Sequence, residues 1–364
     1  MKIDKNFNRI TFGDVCDVLN GKSQKDVANE NGKYPIYGSG GIMGYANDYL
    51  CKAGTTIIGR KGTINSPIYV NQPFWNIDTA FGLYPKDERL THKYLYYYCL
   101  HFDFTKIQSG SAIPSLTKKD IQKNEIYLPN TDIQHYIATE LDTLQSLITQ
   151  YREQLNDYDK LAQSIFHEMF GDVEYTSPLI NYIDGFIGGK SLAGKYECKN
   201  KVLKTSAVSS LYFKAHEVKN LPIDFEPSDE YRVNRGDVLI SRMNTPELVG
   251  ACAYVWNVYN NTYLPDRLWR IKIKENINPI FLWFNLISKD VRAQIKGFAS
   301  GTSGSMKNIT KSSLMKVKIM SIPLPLQQQF ATRIESIEAQ KTLIKQQLSD
   351  VQTLFDSRMQ YYFN

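Results

Sequence analysis

The sequence has no apolar run approaching the roughly 20 residues that cross a bilayer, so a helical membrane protein is not expected. Its first ten residues, MKIDKNFNRI, lack the apolar stretch of a secretory signal. Cysteine is scarce: Cys16, Cys51, Cys99, Cys198 and Cys252 are five in 364 residues, odd in number and without a CxxC pair. That spacing fits neither a disulfide framework nor a zinc site, and it fits reduced thiols in a cytoplasm. The five histidines form no HExxH or other metal-binding pattern, so no metal is expected.

Signatures of catalysis are missing as well. GSGGIMG (38–44) has neither the spacing of a dinucleotide fingerprint nor the ending of a phosphate-binding loop. GKS at 21–23 and 189–191 lacks the earlier glycine that such a loop requires. NQPF (71–74) resembles the NPPF-type tetrapeptide of amino-group DNA methyltransferases. However, Gln72 stands where that motif needs proline, and no strand, Gly-rich loop and helix for S-adenosylmethionine come before it. No nucleophile–base pair is identifiable. The residues describe a binding protein without catalytic groups.

What the sequence does contain is a duplication. At an offset of 193 residues, Gln134 falls on Gln327, Ala138 on Ala331, Leu141 on Ile334, Leu155 on Leu348 and Phe170 on Phe363, without a gap. Upstream the echo continues with small length changes. AGTTIIGRKG (53–62) faces RGDVLISRMN (235–244), YLYYYCL (94–100) faces FLWFNLI (281–287), and LNGKS (19–23) faces IGGKS (187–191). A period this long means two whole domains, each with an appended element. The boundaries read as a first variable block over 1–131, a long helix over 132–171, a second block over 172–325 and a second helix over 326–364.

The helices follow from periodicity. Ile137, Leu141, Leu144, Ile148, Tyr151, Leu155, Tyr158, Ala162, Ile165 and Met169 alternate spacings of four and three, which is a coiled-coil seam. The equivalent positions are Phe330, Ile334, Ile337, Lys341, Ile344, Leu348, Val351, Phe355, Arg358 and Tyr362. Pro129 and Pro325 precede the two helices, and Gly171 stops the first. A narrow stripe on a helix of about 55 Å needs a partner, and the duplicate supplies one. An antiparallel coiled coil is therefore expected, with a block at each end of a rod and a pseudo-twofold axis between them; the alternative is that each tail packs onto its own domain or onto another protein. Lys341 and Arg358 interrupt the second seam and are expected to reach outwards or to contact a partner protein.

The blocks combine short β-branched strands (TTIIG, DVLIS, RLWRIKI) with Gly-, Asn- and Tyr-rich turns and one apolar helix each. The fold class expected is thus mixed α/β with two long helices. Charge separates the parts. Residues 1–132 hold 16 basic and 13 acidic side chains, 133–171 hold 2 and 6, 172–326 hold 21 and 14, and 327–364 hold 4 and 4. A basic excess confined to the two blocks is what a polyanion partner requires.

Candidate contacts to such a partner sit at strand ends and in Gly/Ser/Lys loops. Arg60 and Lys61 follow one strand, Arg242 and Asn244 another, and Arg267 and Arg270 lie further on. Ser39 and Gly40 lie in YGSGGIMGY (37–45), Ser111 and Lys118 in QSGSAIPSLTKK (108–119), and Ser303 and Lys307 in ASGTSGSMKN (299–308). Lys22 and Lys190 belong to the paired GKS strings. An Arg fork suits phosphate oxygens and the O6/N7 edge of guanine, and Asn suits an adenine edge. Backbone N–H groups of Gly-rich loops can approach phosphate closely.

With the duplicated blocks, the segments LP…DIQHYIATELDTLQ and IPLPLQQQFATRIESIEAQ and the phrases IIGRKG and GDVLISRM, the chain resembles the specificity (S) subunits of type I restriction–modification systems. The resemblance covers essentially the whole length. It implies two target-recognition domains, each reading one half of a bipartite, asymmetric sequence in double-stranded DNA. It further implies a helical rod that sets the spacing and docks two modification (methyltransferase) subunits, with restriction (translocase/nuclease) subunits able to join. S-adenosylmethionine, ATP and Mg would belong to those partners, and this chain would carry no cofactor. The acidic first helix would face protein, and a rod of about 55 Å suits two domains on one duplex about a turn (roughly 34–36 Å) apart. The alternatives are the recognition region of a self-sufficient DNA methyltransferase or nuclease, and a scaffold that binds only proteins.

Overall fold

The computed structural model describes residues 8–61, 63–108, 115–301 and 306–364. The chain divides into two compact units. One comprises Met1–Gln154 with Ile344–Asn364, and the other Leu155–Leu343. Each unit therefore holds one variable block and part of each long helix.

The two units repeat one topology. In the first, a four-stranded sheet runs in the order Cys16–Asn20, Ala80–Pro85, Thr55–Gly59, Ile68–Val70. The second matches it strand for strand with Ile183–Gly188, Leu268–Ile273, Val238–Ser241 and Cys252–Tyr254. A three-stranded sheet (Gly41–Ala46, Tyr34–Gly38, Trp75–Asn76) has its counterpart in Val218–Asn220, Lys201–Leu203 and Thr262–Tyr263, each with one antiparallel and one parallel pairing. Asn8–Thr11 pairs with Glu125–Leu128, as Tyr175–Pro178 pairs with Lys318–Met320.

The strand sequences explain their placement. TTIIG and VLIS are buried at every position, because both faces of the sheet are covered. Ile57 packs with Cys51, Val70 and Phe74, while its neighbour Ile58 packs with Phe81, Leu83 and Tyr94. In the second unit Leu239 turns towards Leu203, Val233 and Leu264, while Val238 and Ile240 turn towards Trp269 and Phe281. The helices His92–His101 and Pro279–Ile287 supply the larger core of each unit.

The long helices span Thr131–Phe170 and Leu324–Phe363. The first begins where Asn130 Oδ1 accepts the Ile133 N–H at 2.9 Å, an N-cap. It ends where the Gly171 N–H bonds to His167 O at 2.7 Å. The second starts one residue earlier than its proline signal: Pro325 lies in the first turn, where a missing N–H costs nothing.

In the first unit the start of one helix meets the end of the other. Ile137, Leu141, Leu144 and Ile148 share a core with Phe355, Met359, Tyr362 and Phe363, and Leu348 packs at its margin. In the second unit Ala162, Phe166 and Phe170 share a core with Phe330, Ala331, Ile334 and Ile337. There Asp159 meets Lys341, and Phe166 lies 5.4 Å from Phe330, so rising numbers on one helix meet falling numbers on the other. The pairing is antiparallel. Ile344 is buried, and Leu155 is half-buried.

The two seam breakers are both paired within the chain, Lys341 buried and Arg358 partly exposed. Lys341 is only 4% exposed. Its ammonium bonds to Asp159 at 2.7 Å and to Glu338, and it lies 4.9 Å from the centre of the Tyr212 ring. Arg358 pairs with Glu140 at 2.9 Å, and the Tyr362 hydroxyl donates to the same carboxylate. Acids placed on the first helix answer bases on the second, so the breaks in the stripe are internal ion pairs.

A buried glutamine marks the same joint twice. Gln134 Nε2 donates to Arg89 O and Pro129 O (2.7 and 2.8 Å), and its Oε1 accepts the Thr91 N–H at 2.8 Å. Gln327 Nε2 donates to Ile322 O at 2.7 Å, and its Oε1 accepts the Asn278 N–H at 2.8 Å. In both units the glutamine ties the long helix to the residue at the N-terminal boundary of the apolar helix, Thr91 or Asn278.

Candidate nucleic-acid interface

Two arginines occupy one position in the two units. Arg60 follows the strand Thr55–Gly59; its N–H donates to Thr79 O at 2.8 Å and its carbonyl accepts from the Leu116 N–H at 2.9 Å. Arg242 follows Val238–Ser241; its N–H donates to Arg267 O at 2.9 Å and its carbonyl accepts from the Ile309 N–H at 3.0 Å. Under each guanidinium lies an aromatic ring from the neighbouring strand. Phe81 is 5.8 Å from Arg60, and Trp269 is 5.5 Å from Arg242. Such a ring attracts the cation and limits its rotamers while its donor edge stays available.

Around Arg242 the other candidates converge. Met243–Asn244 pairs with Lys307–Asn308, placing Asn244 opposite Lys307. Arg242 Nε donates to Asn308 Oδ1 at 3.4 Å, and the Asn244 Oδ1 accepts the Thr245 N–H at 2.9 Å. Lys307 reaches Gly301 O at 3.2 Å, and Arg267 is exposed beside the turn. Lys311 adds a second cation, 5.5 Å from the same Trp269 ring and bonded to Phe186 O at 3.0 Å.

Around Arg60 the arrangement repeats in outline. Lys61 bridges to Ser115, and Lys118 opens the helix Lys118–Lys123 under a Thr117 cap. Ser39 Oγ lies 3.4 Å from Thr63 Oγ1, which brings the hairpin turn with exposed Gly40 beside the loop after the strand. Ser111 and Ser303 lie outside the described residues. Lys22 and Lys190 are exposed and stand elsewhere, just after the duplicated glycines. A Cβ on Gly21 would come within 1.8 Å of Ile77 O, and one on Gly189 within 1.9 Å of Leu264 O. The glycine of each GKS string serves a close backbone crossing.

Among the described residues, no ion pair involves Lys22, Arg60, Lys61, Lys118, Lys190, Arg242, Arg267, Lys307 or Lys311. Cations without carboxylate partners at the end of a strand favour an anion. Arg270 departs from the expectation. Its guanidinium donates to Arg232 O (2.9 Å), Glu230 O (2.7 Å) and Asp237 (3.4 Å), and its side chain is 16% exposed. Burial raises the Asp237 carboxyl while Arg270 draws it back down. Arg270 is a structural cation.

Sequence reading missed Phe81, Trp269, Asn308 and Lys311. The duplication carried the signal for the last, since Lys118 falls on Lys311 at the offset of 193. The helix acids also find partners within the chain. Asp142 accepts from Lys93 and Tyr97 at 2.8 and 2.7 Å, and Asp157 pairs with Lys160 at 2.9 Å.

Four of the five cysteine thiols are buried and all five are free. Among the described residues no cluster could hold a metal ion, and no helix is long and apolar enough to cross a membrane. In NQPF, Phe74 is fully buried and bridges to Cys51, which makes it a core residue.

Similarity to known proteins agrees with this architecture. The chain is 27% identical over 152 residues to the type I restriction enzyme EcoEI specificity subunit of Escherichia coli, covering 42% of this chain and 26% of the relative. It is 21% identical over 165 residues to the EcoDI specificity subunit of the same organism, covering 44% and 36%. The matched stretch thus spans about a third or less of those relatives. In fold the chain is similar to the crystal structure of a type I restriction–modification S subunit from M. genitalium: TM-score 0.68, 16% identity, 99% of this chain and 97% of that one. A second structure, concerned with complex assembly and conformational transition of the type I system, gives a TM-score of 0.53 at 15% identity, covering 100% and 99%. The family model for the type I restriction modification DNA specificity domain matches residues 4–157 and again 189–353, and the chain belongs to that family.

Proposed function

We propose that the chain is the DNA sequence-specificity subunit of a type I restriction–modification complex, with each unit reading one half of a two-part target. The observation that carries this reading is the equivalence of Arg60 and Arg242. Two blocks that have diverged over most of their length keep a strand-end arginine in the same backbone bonds and over an aromatic ring. The neighbouring loops differ in sequence, which suits two different half-sites read in the major groove.

The helices supply the second half of the proposal. Leu161 and Leu354 are equivalent at the offset of 193 and are 45% and 44% exposed, one in each unit. Equivalent apolar positions suit two copies of one partner, which we assign to the modification (methyltransferase) subunits. Those partners would supply S-adenosylmethionine chemistry, with ATP and Mg used by restriction subunits that join. We assign the catalytic groups to those partners, and the burial of Phe74 in the one methyltransferase-like string of this chain supports that reading. The free thiols suit a cytoplasmic complex.

The test is direct. The purified chain with S-adenosylmethionine should leave DNA unmethylated, and adding its modification partner should produce methyladenine at one two-part sequence. Turnover by the chain alone would refute the proposal.

A further inference from the structure

The hairpin Tyr34–Gly38 and Gly41–Ala46 carries apolar side chains where a free surface gains nothing from them. Ile42 is 54% exposed and Met43 62%. Their position follows from a β-bulge. Ile36 pairs with Gly44 and Tyr37 with Ile42, so Met43 is the extra residue and neither it nor Ile42 turns inwards. Bulges re-aim side chains, and the inward face of this hairpin is already filled by Ile36, Ala46, Trp75 and Ile77.

The bulge lies beside the strand-end arginine. Ser39 at the hairpin turn faces Thr63, and a Cβ on Gly59 would come within 3.2 Å of the Ser39 Cβ. The Ile77 N–H donates to Tyr37 O at 3.0 Å, and two residues later Thr79 O receives the Arg60 N–H at 2.8 Å. Exposed Asp78 lies on the same connection, Glu30 lines the cleft that Met43 borders, and Arg60 and Lys61 follow Gly59 in the chain. An apolar tip whose turn packs beside the strand that ends in Arg60 matches one surface in particular. The major groove sets anionic phosphates beside the C5-methyl group of thymine, its single apolar feature. The equivalent hairpin of the second unit, Lys201–Leu203 and Val218–Asn220, encloses a longer insertion and has no such turn.

Resting on the proposed DNA-reading role, we propose that Ile42 and Met43 contact thymine methyl groups in the half-site read by the first unit. This gives that half-site at least one thymine recognised by its methyl.

The test uses the full chain with its modification partner and duplexes carrying the mapped target. Each thymine is replaced in turn by deoxyuridine, which removes only the methyl. Wild-type protein should lose about fourfold in affinity at one or two positions of a single half-site, the change that corresponds to ~0.8 kcal/mol per buried CH2 group. Met43→Ala should lose a similar factor on the normal target and become indifferent to the same replacements, while Met43→Leu should retain most of the sensitivity. Indifference of the wild type at every thymine, with Arg60→Ala still weakening binding, would overturn the inference and leave the DNA-reading role standing. Loss of self-association in Met43→Asp without a change in DNA affinity would assign the tip to a second copy of the chain and also overturn it. If neither Arg60→Ala nor any base replacement altered binding, the DNA-reading role itself would fail.

Discussion

Replacing Gln134 by Ala removes three buried hydrogen bonds, those to Arg89 O, Pro129 O and the Thr91 N–H. Replacing Gln327 by Ala removes two, those to Ile322 O and the Asn278 N–H. At about 1 kcal/mol for each buried bond, the substitutions should cost about 3 and about 2 kcal/mol respectively. Both glutamines are almost fully buried, so water cannot take over from the lost side chain without opening the joint. Native-state hydrogen exchange localises the effect. Gln134→Ala should speed exchange of the Thr91 amide by about two orders of magnitude and leave that of Asn278 unchanged; Gln327→Ala should speed that of Asn278 about thirtyfold and leave that of Thr91 unchanged. The joint is misassigned if either variant leaves its own amide as protected as in the wild type.

Lys341→Met should destabilise the second unit by about 3 kcal/mol, because it strands Glu338 in a nearly buried position; urea unfolding of Glu338→Leu/Lys341→Met should recover most of the loss. A Lys341→Met variant as stable as the wild type would contradict the buried pair. Stability should also fall at alkaline pH. Burial raises the phenols of Tyr94, Tyr97, Tyr98, Tyr212 and Tyr362 above their ordinary value of 10.0, with Asp142, Asp159, Glu338 and Glu140 adding to it at Tyr97, Tyr212 and Tyr362. Above about pH 10 the unfolded chain releases those protons first. The stabilisation is therefore complete below that pH and is lost on rising towards the folded values. Thermal melts followed by circular dichroism should show a falling midpoint from pH 10 to 11, and a flat profile would argue against buried phenols.

The long helices were legible in the sequence because their signal is local and repeated: a four–three stripe, a preceding proline and a terminal glycine. The duplicated strands were legible because TTIIG and DVLIS keep their apolar character through divergence. Lys341 and Arg358 were not. A charged residue in a seam says nothing of whether Asp159 or Glu140 waits opposite, since that depends on antiparallel register. Arg270 misled for a related reason. Its two carbonyl acceptors come from residues some forty positions upstream, which no local pattern reveals. The aromatic rings under Arg60 and Arg242 went unread because Phe81 and Trp269 look like ordinary strand residues until the neighbouring strand is paired.

The central claim is that each unit reads its own half of one target, with its strand-end arginine at the centre of the contact. Methylated adenines should therefore be mapped across host DNA for complexes carrying the wild-type chain, Arg60→Ala and Arg242→Ala. A base-reading arginine contributes about 1–3 kcal/mol of discrimination. The account predicts that Arg60→Ala relaxes the sequence in one half-site and Arg242→Ala in the other, with the spacing between halves unchanged. Relaxation of the same half by both variants, or an unaltered target in both, would contradict it.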